Sequence, residues 1–396
     1  MRVTCFIDDL VCGGAERQLC TLAILLKQRG QDVSMLTYHK TGFFLPTLQS
    51  AGIDCQVLND KKLVRFYAVR RELRAGSQDV VLAFLRMPSL YSELAAFPTR
   101  RWGLVVSERS AVPGRFFWKR VLHRMADYVT TNSHTNRLMI EHAVPQLSGR
   151  VATIYNAVDL DSFHPPVDGN NKNGPTRIIV GAIHSRNKNL AGLVDAMSIV
   201  KAKRPDLEVE VNWYGEKLRD TGPYDGSVRN ILKEGLTGYF KFYRATHLIQ
   251  SVYTECDGVG VFSLHEGLPN VACEAMACGR PLLMSNVSDA GNLVKHGQNG
   301  FLFDPTSPEE MAHVIIQFCE LSHREKITMG AKSREKAERM FSPHRIGACY
   351  MQLLEAAAAH RKIEIQHWVP EIPQITDVKS WDRENSKQQS RTQNHG

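Results

Sequence analysis

The chain of 396 residues contains no apolar run of the ~18 residues that a membrane-spanning helix needs. Its first residues, M-R-V-T-C-F-I-D-D-L, combine one basic residue with a short apolar stretch, but Asp8 and Asp9 interrupt that stretch. We therefore expect a first β-strand at this position and no signal peptide. These absences predict a cytoplasmic protein.

The sequence also has little that could hold a metal ion. Its nine cysteines are scattered, and no two of them form a C-x-x-C pair. Cys273 and Cys278 share one predicted helix without histidine beside them, so we interpret the cysteines as small core residues in a reducing cytosol. No D-x-D sequence directly follows a predicted strand, and the adjacent side chains of Asp8 and Asp9 diverge on an extended chain. We therefore expect neither a bound metal nor another cofactor.

The length and the charge divide the chain into two halves. A chain of 396 residues exceeds the size at which one core keeps growing, so two domains are expected. Residues 1–165 carry 21 Lys and Arg against 14 Asp and Glu, a net of +7, and the remainder adds +1 to reach the total of +8. This imbalance predicts an anionic partner for the first half. No nucleic-acid recognition motif accompanies the charge, so nucleic acid is not expected.

Apolar segments of strand length alternate with segments of helical periodicity along most of the chain. This alternation predicts an α/β fold in which parallel sheets carry helices on both faces. A polar stretch with Pro and Gly at 164–176 is typical of a linker and separates two such series. The predicted strands are 2–7, 33–38, 55–58, 80–84, 104–107, 128–131, 151–154, 177–182, 208–214, 257–262, 281–285 and 301–303.

The densest pattern is the stretch 263–281, S-L-H-E-G-L-P-N-V-A-C-E-A-M-A-C-G-R-P. It predicts a turn after a buried strand, then a helix that begins at Asn270 and ends at Gly279. Such a turn lies at the carboxyl edge of an open sheet, where ligands bind, and the helix N-terminus favours an anion. Glu266 on the turn and Glu274 inside the helix suit hydroxyl groups, because an ionised carboxylate only accepts hydrogen bonds. For an arbitrary pair of glutamates, a solvated surface would be the better interpretation.

This string resembles the E-x7-E element of the retaining nucleotide-sugar glycosyltransferases of family 4. The resemblance extends through E-A-M-A-C-G-x-P and N-G-F-L-F at 299–303, and it spans roughly residues 1–356. It implies the GT-B architecture, in which two Rossmann-like domains face each other across a cleft. It also implies that Glu274 accepts hydrogen bonds from the ribose and Glu266 from the sugar of a UDP- or GDP-sugar donor. The other donor-binding residues in this stretch would be Gly267, Leu268, Pro269 and Asn270.

Two further strings resemble the same family. G-G-A-E-R at 13–17 is similar to its first loop, where Gly13 and Gly14 would let the backbone approach the donor diphosphate. I-Y-N-A-V-D at 154–159, with Phe163 beyond it, resembles N-x-V-D-x-x-x-F, which closes the first domain. We expect an acceptor-binding domain at 1–165 and a nucleotide-sugar-binding domain at 166–345. A helix at 346–362 would cross back to the first domain, and a polar tail at 363–396 would be disordered.

The cations of the family pattern are only partly present. Members usually carry an Arg directly after the glycine that ends the first strand of the second domain, and a Lys about six residues on. Here Ala182 takes the place of the Arg, whereas Lys188 matches the Lys. Lys188 would balance the charge that develops on the leaving diphosphate. Arg186 is a candidate for the missing cation. A solvated loop is the alternative interpretation of both Arg186 and Lys188.

The acceptor side departs from the pattern too. Members often have a His after the fifth strand, but this chain has S-E-R-S at 107–110. Glu108 and Arg109 are therefore the candidates for contact with the acceptor. Asn292 stands near the position of a glutamate that relatives often carry.

Residues 100–124 combine seven basic residues and four large aromatic residues with one acid. Cations interleaved with aromatics suit the surface of an anionic membrane, and peripheral contact on its inner face is one interpretation. An amphipathic helix with an aromatic core face and a basic solvent face is the other.

The sequence thus predicts a retaining, metal-independent glycosyltransferase. The acceptor would be a hydroxyl of a glycan or lipid-linked glycan in cell-surface polysaccharide synthesis. A nucleotide-sugar epimerase or phosphorylase on the same scaffold is an alternative, because a fold does not determine a function. A catalytically weak glycan-binding subunit is another, motivated by the missing Arg and His.

Overall fold

A computed structural model describes residues 1–39, 42–58, 62–109, 122–166, 174–217, 220–246 and 248–365. The described residues form two separate parallel sheets. The strand order is β3-β2-β1-β4-β5-β6-β7 in the first and β10-β9-β8-β11-β12-β13 in the second. In each sheet the order reverses beside the first strand of that sheet, β1 or β8. The strands are β1 (Arg2–Phe6), β2 (Asp32–Thr37), β3 (Asp54–Val57), β4 (Val80–Phe84), β5 (Gly103–Glu108), β6 (Tyr128–Thr131), β7 (Val151–Thr153), β8 (Thr176–Gly181), β9 (Val209–Tyr214), β10 (Phe240–Tyr243), β11 (Gly258–Val261), β12 (Leu282–Ser285) and β13 (Gly300–Phe303).

Helices connect the strands, as parallel pairing requires. Short 3-10 turns occupy His123–Met125, Pro145–Leu147 and Arg186–Lys188. The described α-helices are α1 (Gly14–Gln28), α2 (Leu45–Ser50), α3 (Lys62–Ala75), α4 (Arg86–Ala95), α5 (His134–Ala143), α6 (Leu190–Lys203), α7 (Gly222–Lys233), α8 (Ile249–Thr254), α9 (Asn270–Ala277), α10 (Ala290–Leu293), α11 (Pro308–Glu320), α12 (His323–Met340) and α13 (Pro343–Ala358). The predicted α/β class with two Rossmann-like sheets is confirmed.

Every strand predicted from the sequence is present with small shifts at its ends, but β10 was not predicted. Its sequence, F-K-F-Y, is short and carries a lysine in the middle. Among the described strands, β10 lies at the edge of the second sheet and pairs with β9 alone. An edge strand with a charged residue has a weaker apolar signal than a central strand.

One apolar cluster joins the two lobes. It contains buried residues of the first sheet such as Val3 and Val105, and buried residues of the second such as Val259 and Leu282. Residues 154–158 and helices α9 and α13 lie between them in the same cluster. The lobes therefore share buried surface and do not rely on the linker alone.

Helix α13 packs on the first sheet although it follows the second lobe in the chain. It contacts β4, β5 and α1. The approach to β5 is close, because a Cβ added to Gly103 would lie 2.3 Å from the carbonyl carbon of Ala357. The absence of a side chain at Gly103 thus lets the helix backbone lie directly on the strand.

We expect Gly103→Ala to lower the free energy of unfolding by about 1–3 kcal/mol, because the added methyl group forces α13 away from β5. Denaturant unfolding measures this change. Gly238→Ala is the matched control, since a Cβ added there meets no atom within 4 Å. Equal stability of the Gly103 variant and the control would show that α13 does not need this close approach.

Candidate functional site

The candidate site lies at the carboxyl end of β11, in the loop that leads into α9. This loop is joined to the loop after β8 by reciprocal hydrogen bonds: Asn187 Nδ2 donates to the His265 carbonyl at 2.9 Å, and the His265 N–H donates to Asn187 Oδ1 at 3.1 Å. β8 and β11 are the strands at which the order of the second sheet reverses. The site therefore occupies the position where open α/β sheets bind ligands.

Glu266 lies on this loop and is paired within the second lobe. Its carboxylate accepts a hydrogen bond from Ser263 Oγ at 2.7 Å and forms an ion pair with the Lys188 ammonium. The Lys188 and Glu266 side chains are 23% and 13% exposed. Two of the predicted catalytic residues are thus in direct contact. Arg186 begins the adjacent 3-10 turn and is exposed to solvent.

Glu274 lies one turn inside α9, as predicted, and its partner comes from the other lobe. Its Oε1 is 2.5 Å from Nη1 of Arg17, on the first turn of α1. Burial raises the pKa of Glu274, and the ion pair with Arg17 opposes that rise without cancelling it. Arg17 was not predicted as a site residue, although it ends the string G-G-A-E-R.

Asn270, the first residue of α9, connects the helix to the glycine loop of the first lobe. Its Nδ2 donates to the Gly14 carbonyl at 2.9 Å, and its Oδ1 accepts from Gln18 at 3.1 Å and from Asn156 at 2.5 Å. A Cβ on Gly14 would lie 3.0 Å from Asn270 Nδ2. Gly13, which precedes α1 as its N-cap, lies in the same loop. The predicted residues Gly13, Gly14 and Asn270 therefore lie together.

The turn before α9 packs against the residues that follow β5 and β6 in the first lobe. A Cβ added to Gly267 would lie 2.9 Å from Asn132 Oδ1 and 3.0 Å from the Arg109 carbonyl. Leu268 is buried, and its carbonyl accepts a hydrogen bond from Asn156 at 3.1 Å. Pro269 precedes the first helical residue of α9. Small size at Gly267 is therefore what allows the two lobes to close at this turn.

The two acceptor-side candidates occupy different environments. The Arg109 guanidinium donates to Asn156 Oδ1 and lies 5.0 Å over the ring of Phe84, and burial lowers its pKa. Glu108 lies 3.2 Å from Nε2 of the buried His123, within the first lobe. Arg109 is thus connected to the turn before α9 through Asn156, whereas Glu108 is engaged with His123.

His123 forms a buried pair of contacts with two carboxylates. Its Nδ1 is 2.5 Å from Glu93, and its Nε2 faces Glu108. Burial lowers the pKa of His123, but the hydrogen bonds and charges of Glu108 and Glu93 outweigh that effect and raise it to about 9. The imidazole is therefore protonated at neutral pH and holds both carboxylates inside the lobe.

Asp289, which sequence reasoning did not assign, anchors the second lobe to the first. Its carboxylate accepts from the N–H groups of His134 and Thr135 at 2.6 and 2.9 Å, and from the Tyr155 hydroxyl at 2.7 Å. The Thr135 hydroxyl donates to it at 2.8 Å. An anion at the start of α5 is favoured by the helix dipole, and Asp289 supplies that anion from the other lobe. Asn292 donates to Tyr155 at 3.3 Å.

Part of the basic segment 100–124 faces the protein and not the solvent. Trp102 is buried in the first lobe, where it fills the apolar core. Arg100 donates to the Trp102 and Met125 carbonyls and pairs with Asp127 at 2.6 Å. Both residues have partners within the fold, so Trp102 is not part of an exposed surface, and the membrane contact itself stays a prediction. Residues 110–121 lie outside the described part of the chain.

Within the described ranges, no three His, Cys, Asp or Glu side chains come together in a group that could hold a metal ion. The D-x-D sequence at 159–161 forms a turn, in which Asp159 accepts from the N–H groups of Asp161 and Ser162 at 3.1 and 3.2 Å. Across the same described ranges, no helix is both long and apolar enough to cross a bilayer.

Two Rossmann-like domains, each built on a parallel sheet, match the GT-B fold of the glycosyltransferases. A solved structure of HepE from Anabaena, in complex with UDP and glucose, superimposes with a TM-score of 0.78 at 22% identity. The superposition covers 89% of this chain and 99% of HepE. This likeness establishes the fold.

The family follows from the sequence comparisons. Residues 12–162 match the model for Glycosyltransferase Family 4, and residues 174–320 match the model for Glycosyl transferases group 1. The two models together span most of the chain. The chain therefore belongs to the glycosyltransferases that these two models describe, as its motifs predicted.

Curated relatives match over part of their length. An uncharacterised glycosyltransferase of Methanocaldococcus jannaschii is 24% identical over 57% of this chain and 59% of its own length. The amylovoran biosynthesis glycosyltransferase AmsK of Erwinia amylovora is 26% identical over 46% of this chain and 44% of its own. The chain thus spans about half the length of these two relatives.

We expect Asp289→Ala to lower the free energy of unfolding by roughly 1–3 kcal/mol or more, because it leaves buried donors of both Thr135 and Tyr155 without an acceptor. Denaturant unfolding measures the loss. Asp161→Ala, which removes an exposed carboxylate, is the control and is expected to match the unaltered protein. If both variants unfold at the same denaturant concentration, Asp289 does not hold the lobes together.

Proposed function

We propose that this protein transfers a sugar from a nucleotide diphosphate donor to a hydroxyl of a glycan or lipid-linked glycan, with retention of configuration. The observation that carries the proposal is the position of Glu266 and Glu274. Both follow the carboxyl end of β11 and each is paired with a cation, and the partner of Glu274 is Arg17 of the first lobe. HepE, which shares this fold, has been solved with UDP, glucose and UDP-glucose.

The donor would lie between the loop after β11 and the loop after β1. Glu274 would accept hydrogen bonds from the ribose hydroxyls, and Glu266 from hydroxyls of the sugar. The diphosphate would face the N–H groups at the start of α9, and Gly13 and Gly14 would let the backbone approach it closely. Lys188, which contacts Glu266, would balance the negative charge of the diphosphate.

The transfer itself breaks the bond between the sugar anomeric carbon and the leaving phosphate oxygen. The acceptor hydroxyl oxygen forms its bond to that carbon on the same face of the sugar, and its proton passes to the leaving phosphate. Negative charge grows on the diphosphate as the bond breaks, so a preorganised helix N-terminus and Lys188 lower the barrier. Arg109, on the first lobe, would position the acceptor.

A role in cell-surface polysaccharide synthesis is supported by the match to AmsK, whose name places that relative in amylovoran biosynthesis. An epimerase or phosphorylase would also bind a nucleotide or a sugar phosphate, but neither would join the sugar to a new hydroxyl. Incubation with UDP- or GDP-sugars and a panel of glycan acceptors, followed by mass spectrometry of the products, separates these reactions.

The Glu274→Ala variant tests the donor site. Loss of hydrogen bonds to a charged acceptor costs about 1.5–3 kcal/mol, so affinity for the nucleotide should fall roughly ten- to hundredfold. Calorimetry with UDP and GDP measures this affinity, and Glu338→Ala removes an exposed carboxylate elsewhere as the control. Unchanged affinity in Glu274→Ala would refute the assignment of the ribose site.

Metal chelation should leave the transfer rate unchanged. Lys188 and the helix N-terminus would stabilise the leaving diphosphate in place of a metal ion. The check is the transfer rate in EDTA, and then after addition of magnesium or manganese. Activity that disappears in EDTA and returns with either ion would contradict this account of the leaving group.

Peripheral contact of the first lobe with an anionic membrane is part of the proposal, because an exposed stripe lies beside residue 100. On α3, Val64 and Tyr67 are 42% and 70% exposed and are followed along the helix by the exposed Arg71 and Arg74. Arg74 donates to the Phe97 carbonyl at 2.7 Å, and Phe97 is 63% exposed. Exposed aromatics beside arginines suit a lipid headgroup region.

Vesicle co-sedimentation tests this contact. Arg71→Glu with Arg101→Glu should reduce binding to anionic vesicles, since each cation near such a surface contributes about 1 kcal/mol. Lys203→Glu with Lys332→Glu reverses the same number of charges on the second lobe and should leave binding intact. Equal losses in the two double variants would contradict a docking surface on the first lobe.

A further inference from the structure

Arg17, on the first lobe, contacts Glu274 of the candidate donor site. We propose that Arg17 is a second cation of that site, and that it exchanges Glu274 for the donor diphosphate when the donor binds. This inference rests on the proposed function and adds to it a residue and an exchange of partners.

The position of Arg17 fits contact with a diphosphate. It lies on the first turn of α1, three residues after Gly14, whose carbonyl accepts a hydrogen bond from Asn270 of α9. Its side chain is 29% exposed, whereas that of Glu274 is 5% exposed. The guanidinium therefore contacts a buried carboxylate on one side and retains access from the cleft. Arginine also binds phosphate with a planar, two-pronged set of donors.

Each glutamate of the site is neutralised by one cation in this structure. Lys188 pairs with Glu266 inside the second lobe, and Arg17 pairs with Glu274 across the lobes. A bound donor brings hydroxyl groups that donate hydrogen bonds and a diphosphate that only accepts them. If the carboxylates take the hydroxyls and the cations take the diphosphate, every charged group exchanges one partner for another.

The sequence also leaves a place for such a cation. Ala182 follows Gly181, the last residue of β8, so no cationic side chain leaves the second sheet at that point. Gly181 packs against α8 and α9: a Cβ there would lie 3.2 Å from the Tyr253 hydroxyl and 3.1 Å from Val271. Arg17 reaches Glu274 on this same α9 from the opposite lobe. Arg17 thereby supplies a positive charge beside α9, the helix against which Gly181 packs.

The exchange would couple donor binding to the contact between lobes. Arg17 belongs to α1 and Glu274 to α9, so their ion pair is one of the bonds that hold the cleft closed. A donor that accepts from Arg17 and donates to Glu274 replaces this direct bond by a bridge through the ligand. At this position the lobes are then connected through the donor, while Asp289 and Asn270 keep their own contacts between the lobes.

The test compares binding of nucleotides with and without the diphosphate. Affinities for UDP and GDP are measured by calorimetry, and those for uridine and guanosine by ligand-observed NMR titration. The main variant is Arg17→Gln, which still donates to Glu274 but has no charge. Lys27→Gln is the matched control, because it removes one cation from the opposite end of the same helix. Arg17→Lys keeps the charge and serves if Arg17→Gln does not fold.

We expect Arg17→Gln to lower the affinity for the nucleoside diphosphate that the unaltered protein binds by roughly ten- to hundredfold. The affinity for the matching nucleoside should stay unchanged or increase. Arg17→Lys should lower the affinity for the diphosphate by a smaller factor, and Lys27→Gln should leave it unchanged. Equal weakening of nucleoside and diphosphate would overturn the inference, since Arg17 would then only orient Glu274. So would unchanged diphosphate affinity. If the unaltered protein binds neither UDP nor GDP, the proposed function fails together with the inference, and that outcome is visible without any variant.

Discussion

A buried carboxylate must be paired, and in this protein the partners of two such carboxylates come from the opposite lobe. Glu274 and Asp289 both belong to the second lobe, and both are almost fully buried. Arg17 satisfies the first, and the start of α5 with Tyr155 satisfies the second. Neither carboxylate keeps its partners if the lobes separate. The closed arrangement of the two sheets therefore depends on these charges being matched across the cleft.

The same constraint explains why the cleft suits an anionic ligand. Parallel strands place the N-termini of their following helices at one edge, and here the two edges face each other. The helix dipole at α5 is already satisfied by Asp289, whereas α9 begins with Asn270 beside the glycine loop. The start of α9 and the Arg17–Glu274 pair thus lie beside the glycine loop, with Gly14 and Gly267 keeping the backbones close.

Most of the fold and part of the site could be predicted from the sequence, because both depend on local patterns. Central strands are continuous apolar runs, and the turn before α9 is marked by Gly267 and Pro269, so their positions follow from short segments. Glu266, Glu274 and Lys188 belong to strings with recognisable spacing, although their roles stay predictions. Arg17 and Asp289 could not be assigned in this way. Each looks like an ordinary polar residue until its partner, 257 and up to 155 residues away, is brought beside it.

A crystal structure of the protein with UDP or GDP would test the central claim most directly, because the account assigns each half of the nucleotide to named groups. We predict that the ribose hydroxyls lie within hydrogen-bond distance of Glu274, and that the diphosphate lies between the start of α9, Lys188 and the loop at Gly13 and Gly14. A nucleotide bound elsewhere, or one bound here while the ribose contacts neither Glu274 nor its neighbours on α9, would contradict the account.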